Sequence, residues 1–133
     1  MTNETWRPVV GWEELYEVSS IGRVRAKERV MWVKNHTNVV KRVIPPRLLR
    51  SGLDAAGYRS VGLSRGKGPR RHLVHRLVLF AFVGPPPQSW YHGCHYNGIR
   101  SDSRLENLRW DTPAGNAADT IRHRKERAQQ VAA

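Results

Sequence analysis

Val74, Leu77, Val78, Ala81 and Phe82 place apolar side chains at i, i+3, i+4, i+7 and i+8, and Gly84-Pro85 stops the run. That spacing lays one apolar stripe along a helix, and glycine followed by proline ends it. Pattern alone leaves a buried strand open, because the stretch is apolar almost throughout. In either form it must be covered by the rest of the chain, and what precedes it has strand character. Within Trp12–Val30, Leu15-Tyr16-Glu17-Val18 alternates, Ser19-Ser20-Ile21-Gly22 offers a turn and Arg23-Val24-Arg25 alternates again. This predicts a β-hairpin with Arg23 and Arg25 on the face opposite Val24. Residues 31–52 read as less regular, with any element broken at Pro45-Pro46 and a junction at Ser51-Gly52. Beyond it Val61 and Leu63 share one face of a further strand, and Arg65–Arg71 reads as a glycine-rich turn carrying Arg65, Lys67, Arg70 and Arg71.

Size and charge narrow the function. A chain of 133 residues fits one domain, or a small domain with an appended module. Its longest apolar run, Leu77–Gly84, is far short of the roughly 20 residues of a membrane span. The start MTNETWRPVV lacks a signal-peptide pattern, so a cytoplasmic protein without membrane contact is expected, in a host cytoplasm if a phage encodes it. A single cysteine excludes an intramolecular disulfide framework and a multi-cysteine zinc site, so a bound metal must use mostly N and O ligands. Lys and Arg total 23 against 11 acids, a net charge of +12. From Arg29 to Arg100 thirteen cations face one acid, Asp54. Such a field favours a polyanion, and nucleic acid is the usual one.

The C-terminal third carries the chemistry. Thr112-Pro113 is a helix start, a hydroxyl cap followed by proline at the first helical position. The helix is expected from Pro113 to about Ala128, with Ala114, Ala117, Ala118 and Ile121 as its inner stripe and Asn116, Asp119, Thr120 and His123 along one side. A short strand with His95, a loop, the strand "LENLRW" and this helix make a β-β-α unit. His95 precedes Asn107 by 12 residues, and Asn107 precedes Asn116 by nine.

The segment "HYNG…RLENLRWDTPAGN" resembles the HNH nuclease motif in its H-N-N variant. "VHRLVLFAFVG" resembles the helix preceding that motif in phage HNH proteins, and "WRPVVGWEELYEVSSIGRVRA" is similar to the N-terminal DNA-binding segment of HNH homing endonucleases. The resemblance implies an α+β fold in which an N-terminal β-rich DNA-binding segment (residues 1–52) precedes a ββα-metal nuclease domain (53–128) and a disordered tail (129–133). It implies hydrolysis of double-stranded DNA, nicking or cutting, with one divalent cation, Mg²⁺ or Mn²⁺, or alternatively Ni²⁺ or Zn²⁺. His95 would be the general base, since a neutral imidazole takes a proton near pH 7. Asn116 would ligate the cation, and Asn107 would tie the loop and orient His95. Leu108 and Trp110 would pack between the ribbon and the helix. Arg23, Arg25 and Lys27 of the hairpin, with Arg65, Lys67, Arg70 and Arg71, are the expected DNA contacts.

Two positions depart from the family pattern. Cys94 stands where an acidic metal ligand precedes the base, and Asn97 replaces an aspartate two residues after it. Thiol is a poor ligand for a hard ion. Three outcomes are open: a cation held by Asn116, water and substrate phosphate; a softer ion assisted by Cys94, His92, Asp119 or His123; or a degenerate site leaving a DNA-binding or phage-packaging accessory protein.

Overall fold

Strands dominate the first half of the chain in the computed structural model, which describes residues 3–132. Antiparallel strands β1 (Trp6–Pro8), β2 (Tyr16–Ser19) and β3 (Val24–Ala26) are followed by a two-stranded ribbon, β4 (Arg29–Lys34) and β5 (Val39–Ile44). Next come β6 (Arg47–Leu48), β7 (Gly52–Leu53), β8 (Arg59–Leu63) and β9 (Arg70–Leu73), then helix α1 (Val74–Phe82). Strand β10 (His92–His95), a 3-10 turn at Leu105–Asn107, β11 (Leu108–Asp111) and helix α2 (Pro113–Ala132) complete an α+β fold ending in a ββα unit. One sheet has the order β1-β2-β3-β6, a second β7-β8-β9, and β4-β5 and β10-β11 are separate ribbons. Among the described residues no helix is long and apolar enough to cross a membrane.

The expected hairpin is β2–β3, with Val18 opposite Val24, so one face buries both valines while Arg23 and Arg25 point away. The expected helix is α1, whose Val74, Leu77 and Val78 enter the core together with Leu79. Val9, Val18 and Val24 from before residue 52 meet Val61, Leu63, Val74, Val78, Leu79 and Leu108 from after it in one hydrophobic cluster. Each such aliphatic side chain contributes about 1.5–3 kcal/mol when fully buried, so both segments draw on the same core. Tyr16 stitches the two sheets: its ring is buried, while its hydroxyl donates to Ser64 O (3.1 Å) and accepts from Ser64 N–H (3.0 Å).

Three expectations need correction. Residues 31–52 are more regular than expected, holding most of the β4–β5 ribbon together with β6 and the start of β7, although the break at Pro45-Pro46 does separate β5 from β6. A strand buried on one face announces itself by alternation, whereas β4 is exposed along its whole length and β5 nearly so, and both faces mix valines with cations. Arg70 and Arg71 belong to strand β9 rather than to the turn before it. Helix α2 runs on to Ala132, and its supposed inner stripe faces outward: Ala114, Ala117, Ala118 and Ile121 are exposed, while Asp119 is buried and Gly115, Asn116 and His123 are half-buried. The helix presents a polar flank to the ribbon, and its small alanines bring too little apolar area to reverse that.

Candidate active site

The β10–β11 ribbon sorts the expected site residues onto two faces. Cross-strand partners share a face, and the register pairs His95 with Leu108, Gly93 with Trp110, Cys94 with Arg109 and His92 with Asp111. The first two pairs turn towards α1. Leu108 joins the core, Trp110 meets Phe80 edge-on at 5.2 Å and donates its indole N–H to Gly84 O at 2.9 Å. Leu108 and Trp110 therefore pack on α1, not on the C-terminal helix as expected. Gly93 is required by close approach, since a Cβ there would lie 2.8 Å from His75 Cδ2. The other two pairs turn towards α2, where the Arg109 guanidinium bonds Asp119.

His95 ends β10 in a buried aromatic cluster. Its ring centroid lies 4.8 Å from that of His75 and 5.8 Å from that of Tyr58, and His75 stacks on Tyr58 at 5.3 Å. His95 Nε2 has no hydrogen-bond partner. Burial holds the His95 pKa below its usual value; the Asp102 charge opposes this and the Arg100 charge adds to it. His75 is driven to about 3, first by burial and then by the positive charges it would face on His95 and Arg76. At neutral pH both rings are uncharged. His75 and Tyr58 were missed from sequence, although His75 lies three and four residues before the buried Val78 and Leu79, and a titratable group on a buried stripe is itself a signal.

Asn107 fastens the loop that follows His95. It is buried; its amide donates to Asn97 Oδ1 and Asp102 O (both 3.0 Å), and its Oδ1 accepts from Asn97 N–H (3.0 Å). These bonds tie the loop as expected, but they go to residues 97 and 102 and not to the His95 ring. Any effect on that ring passes through the backbone, where Gly98 N–H donates to His95 O at 3.0 Å. Asn97 also donates to Asp102 Oδ2 at 2.9 Å, so it serves as a loop brace. Arg104 bonds Asp102 and brings its pKa to about 2.

A cleft of about 480 Å³ runs between this loop, the β7–β8 turn and α2, and His95, Asn116, Asp119 and His123 line it with Tyr58 and Arg100. The proposed ligands differ in availability. Thr112 Oγ1 caps α2 by accepting from Gly115 N–H at 3.0 Å, which places Asn116 in the first turn as expected. The Asn116 side-chain nitrogen approaches His92 Nδ1 to 3.5 Å. Because amide oxygen and nitrogen exchange by a flip, this pair can present one oxygen and one imidazole nitrogen to an ion. Cys94 is buried, contacts His92 O at 3.5 Å and has its thiol pKa raised by burial, so it is a poor ligand. Asp119 is buried and bonded by Arg109 and, at 3.1 Å, by Arg122. His123 is tied to Tyr96 O at 2.8 Å through Nε2. Among the described residues no three His, Cys, Asp or Glu side chains converge as a metal cage. The donor set therefore fits an ion of borderline softness completed by water and phosphate, and does not fit an all-protein magnesium site.

The expected DNA-contact cations split similarly. Arg23 is bonded to Glu4, Arg25 to Glu17 at 3.0 Å, and both guanidiniums lie over the Trp6 ring. Lys27 reaches Glu13 O at 3.3 Å, and Arg65 bonds Gly11 O while covering Trp12. Lys67, Arg70 and Arg71 are exposed. Arg100 and Arg127, which sequence reasoning did not single out, line the cleft itself.

Comparison with known proteins agrees with this geometry. Residues 4–64 match the NUMOD4 motif and residues 72–118 match the HNH endonuclease family. No curated protein matches the chain. Among solved structures it is similar to one described as "DNA binding and cleavage by the HNH homing endonuclease I-HmuI", with a TM-score of 0.68 and 25% identity over 96% of this chain. The match spans 66% of that chain's length. The chain thus carries a segment that matches the NUMOD4 motif followed by one that matches the HNH endonuclease family, in a fold similar to that of an HNH homing endonuclease.

Proposed function

We propose that this protein is a metal-dependent endonuclease that hydrolyses phosphodiester bonds in double-stranded DNA. The observation that carries the reading is the His95 ring: buried, uncharged at neutral pH and in the wall of the cleft that Asn116 also lines, with its Nε2 edge sealed in the interior. In the Nε2–H tautomer Nδ1, the ring nitrogen that is not sealed in the interior, offers a lone pair, takes a proton from water and directs the resulting hydroxide at phosphorus. Tyr58 and His75 hold the ring in its plane, and Asn107 keeps the following loop in place. Arg100 and Arg127 supply positive charge to a phosphate in the cleft. Asn116 and His92 would hold the cation, which when bound stabilises charge on the phosphate and the departing 3′-oxygen. An oxygen–imidazole pair favours Mn²⁺, Ni²⁺ or Zn²⁺ over Mg²⁺.

One observation favours a second reading, a DNA-binding or packaging accessory protein that no longer cuts. Asp119, the carboxylate in the cleft wall, is already engaged by two arginines. Supercoiled plasmid incubated with the protein and each of the four ions separates the two. Metal-dependent nicking that His95→Ala removes supports the enzyme. Binding without nicking under any ion leaves the accessory role, and nicking unaffected by His95→Ala removes the assignment of the base.

A further inference from the structure

Nε2 of His95 and Nδ1 of His75 are both sealed in the interior without a hydrogen-bond partner, although they belong to neighbouring rings. Local sequence brings those rings together. Side chains alternate along a strand, so Gly93 and His95 of β10 share the face turned towards α1. Glycine at 93 leaves a hollow beside His95, and the His75 ring fills it: a Cβ there would lie 2.8 Å from His75 Cδ2 and 3.1 Å from Nε2. The Tyr58 ring stacks on His75 at 5.3 Å, 30° from parallel, and fixes its plane. Packing alone would be served by an apolar residue at position 75, as at the buried Val74, Leu77, Val78 and Leu79 around it. An imidazole there buries polar atoms, which is costly unless they are bonded.

The tautomers decide what that imidazole does. When Nδ1 of His95 is the bare nitrogen at the cleft, Nε2 carries the hydrogen and points a donor into the interior. The interior must supply an acceptor. Among the other sealed, unpartnered atoms, His72 Nε2 belongs to a ring beside Trp12, Ser103 lies against Gly22, and Arg109 Nη1 is itself a donor. His75 Nδ1 remains. The other nitrogen of that ring, Nε2, is not sealed and faces Gly93, which lines the cleft, so the hydrogen sits there and Nδ1 keeps its lone pair. Burial leaves the His75 ring uncharged down to about 3, which preserves the acceptor. The ring centroids are 4.8 Å apart with planes at 57°. The terminal torsion of histidine lies in a broad well, so a small turn of the His95 ring joins donor to acceptor.

We infer that His75 is a positioning residue: its Nδ1 accepts the His95 Nε2–H and so holds His95 in the tautomer whose Nδ1 is bare towards the cleft. Without that bond His95 also populates the other tautomer, whose bare nitrogen faces the interior and takes no proton from water. The inference deepens the assignment of His95 as base and rests on it, but the hydrogen bond itself is read without any cutting.

Nuclear magnetic resonance on the full chain, isotopically labelled at the histidine nitrogens and held in EDTA without DNA, reads the bond. Long-range proton–nitrogen correlations give the tautomer of each ring, and a nitrogen–nitrogen coupling across the hydrogen bond identifies its two ends. The parent should show His95 as Nε2–H, coupled to His75 Nδ1. His75→Asn, whose amide oxygen stands close to where Nδ1 does, should keep that tautomer. His75→Phe, which keeps the bulk but offers no acceptor, should lose it; circular dichroism confirms that each variant is folded. In single-turnover nicking, His75→Phe should lower the rate about tenfold at unchanged DNA affinity, and His75→Asn should recover most of the loss. A parent His95 in the Nδ1–H form, or no coupling to His75, overturns the inference, and both are read on the parent even where a variant fails to fold. So does a tautomer that His75→Phe leaves unchanged, or an equal loss of rate in the two variants, which would reduce His75 to packing. A coupling seen in a protein that nicks under no ion supports the bond and counts against the nuclease reading alone.

Discussion

His75 and His95 share a buried space with ring centroids 4.8 Å apart, and neither can gain a proton cheaply there. For His95 the direction of the shift sets the acid limb of the reaction. With its pKa below 6.5, the base stays deprotonated as pH falls through that value. Single-turnover nicking should therefore fall off with a midpoint below 6.5, and a midpoint at or above it would show a ring less buried than described. For His75 the consequence is stability. The folded chain resists protonation down to about 3 while the unfolded chain takes the proton near 6.5. Stability is then complete above 6.5 and drains away as pH drops towards 3. Asp102, held at about 2 by Arg104, loses its contribution only below 3.8, so the loss above that value is free of it. Thermal melts from about pH 8 to about pH 4 should show a fall in Tm that His75→Phe lessens, His95 supplying the remainder.

At the scale of elements, α2 separates what the sequence discloses from what it conceals. Its start was legible because capping is local chemistry: Thr112 and Pro113 need only their own neighbours to act, and the hydroxyl does accept from Gly115 N–H. Its orientation was not. Ala114, Ala117 and Ala118 look like a buried stripe, yet the helix packs through Asp119 because Arg109 on β11 offers it an ion pair. Only the register of β10 on β11, which puts Arg109 beside Cys94 and facing α2, decides this. Ile121→Lys should accordingly shift stability by no more than about 0.5 kcal/mol. Asp119→Ala, which strips a partner from a mostly buried arginine, should cost about 2–4 kcal/mol, less than a fully orphaned charge because Asp111 remains at 3.0 Å. Urea denaturation reads both. The H-N-N spacing was legible for the reason the cap was, being set by a short ribbon and its turn. The Tyr58–His75–His95 cluster was hidden because its members come from β8's approach, α1 and β10.

For the molecule as a whole, the shared core makes the N-terminal segment and the HNH unit one folding body. Leu63 is fully buried among residues of both, so Leu63→Ala should cost about 2–5 kcal/mol. Tryptophan fluorescence and helical ellipticity should lose their signals at the same urea concentration in parent and variant alike; separate midpoints would show two independent units. The net charge of +12 is unevenly available. Glu4, Glu17, Asp102 and Asp119 each engage an arginine close to the fold's body, whereas from Arg29 to Ile44 the ribbon carries cations and no acid of its own. Composition showed the excess, but only the folded chain shows where it is left to act.

The loop brace has one more effect, on how the protein ages. Asn97-Gly98 is the kind of dipeptide that deamidates most readily, when the glycine nitrogen attacks the asparagine side chain to close a succinimide. Here that nitrogen donates to His95 O, and the Asn97 amide is held by Asn107, Asp102 and Ile99 N–H, so the ring closure is restrained on both sides. Peptide mapping after prolonged mildly alkaline storage should find Asn97 largely intact in the parent and converted to aspartate and isoaspartate in Asn107→Ala. The residue that ties the loop thereby also preserves its chemical identity over time.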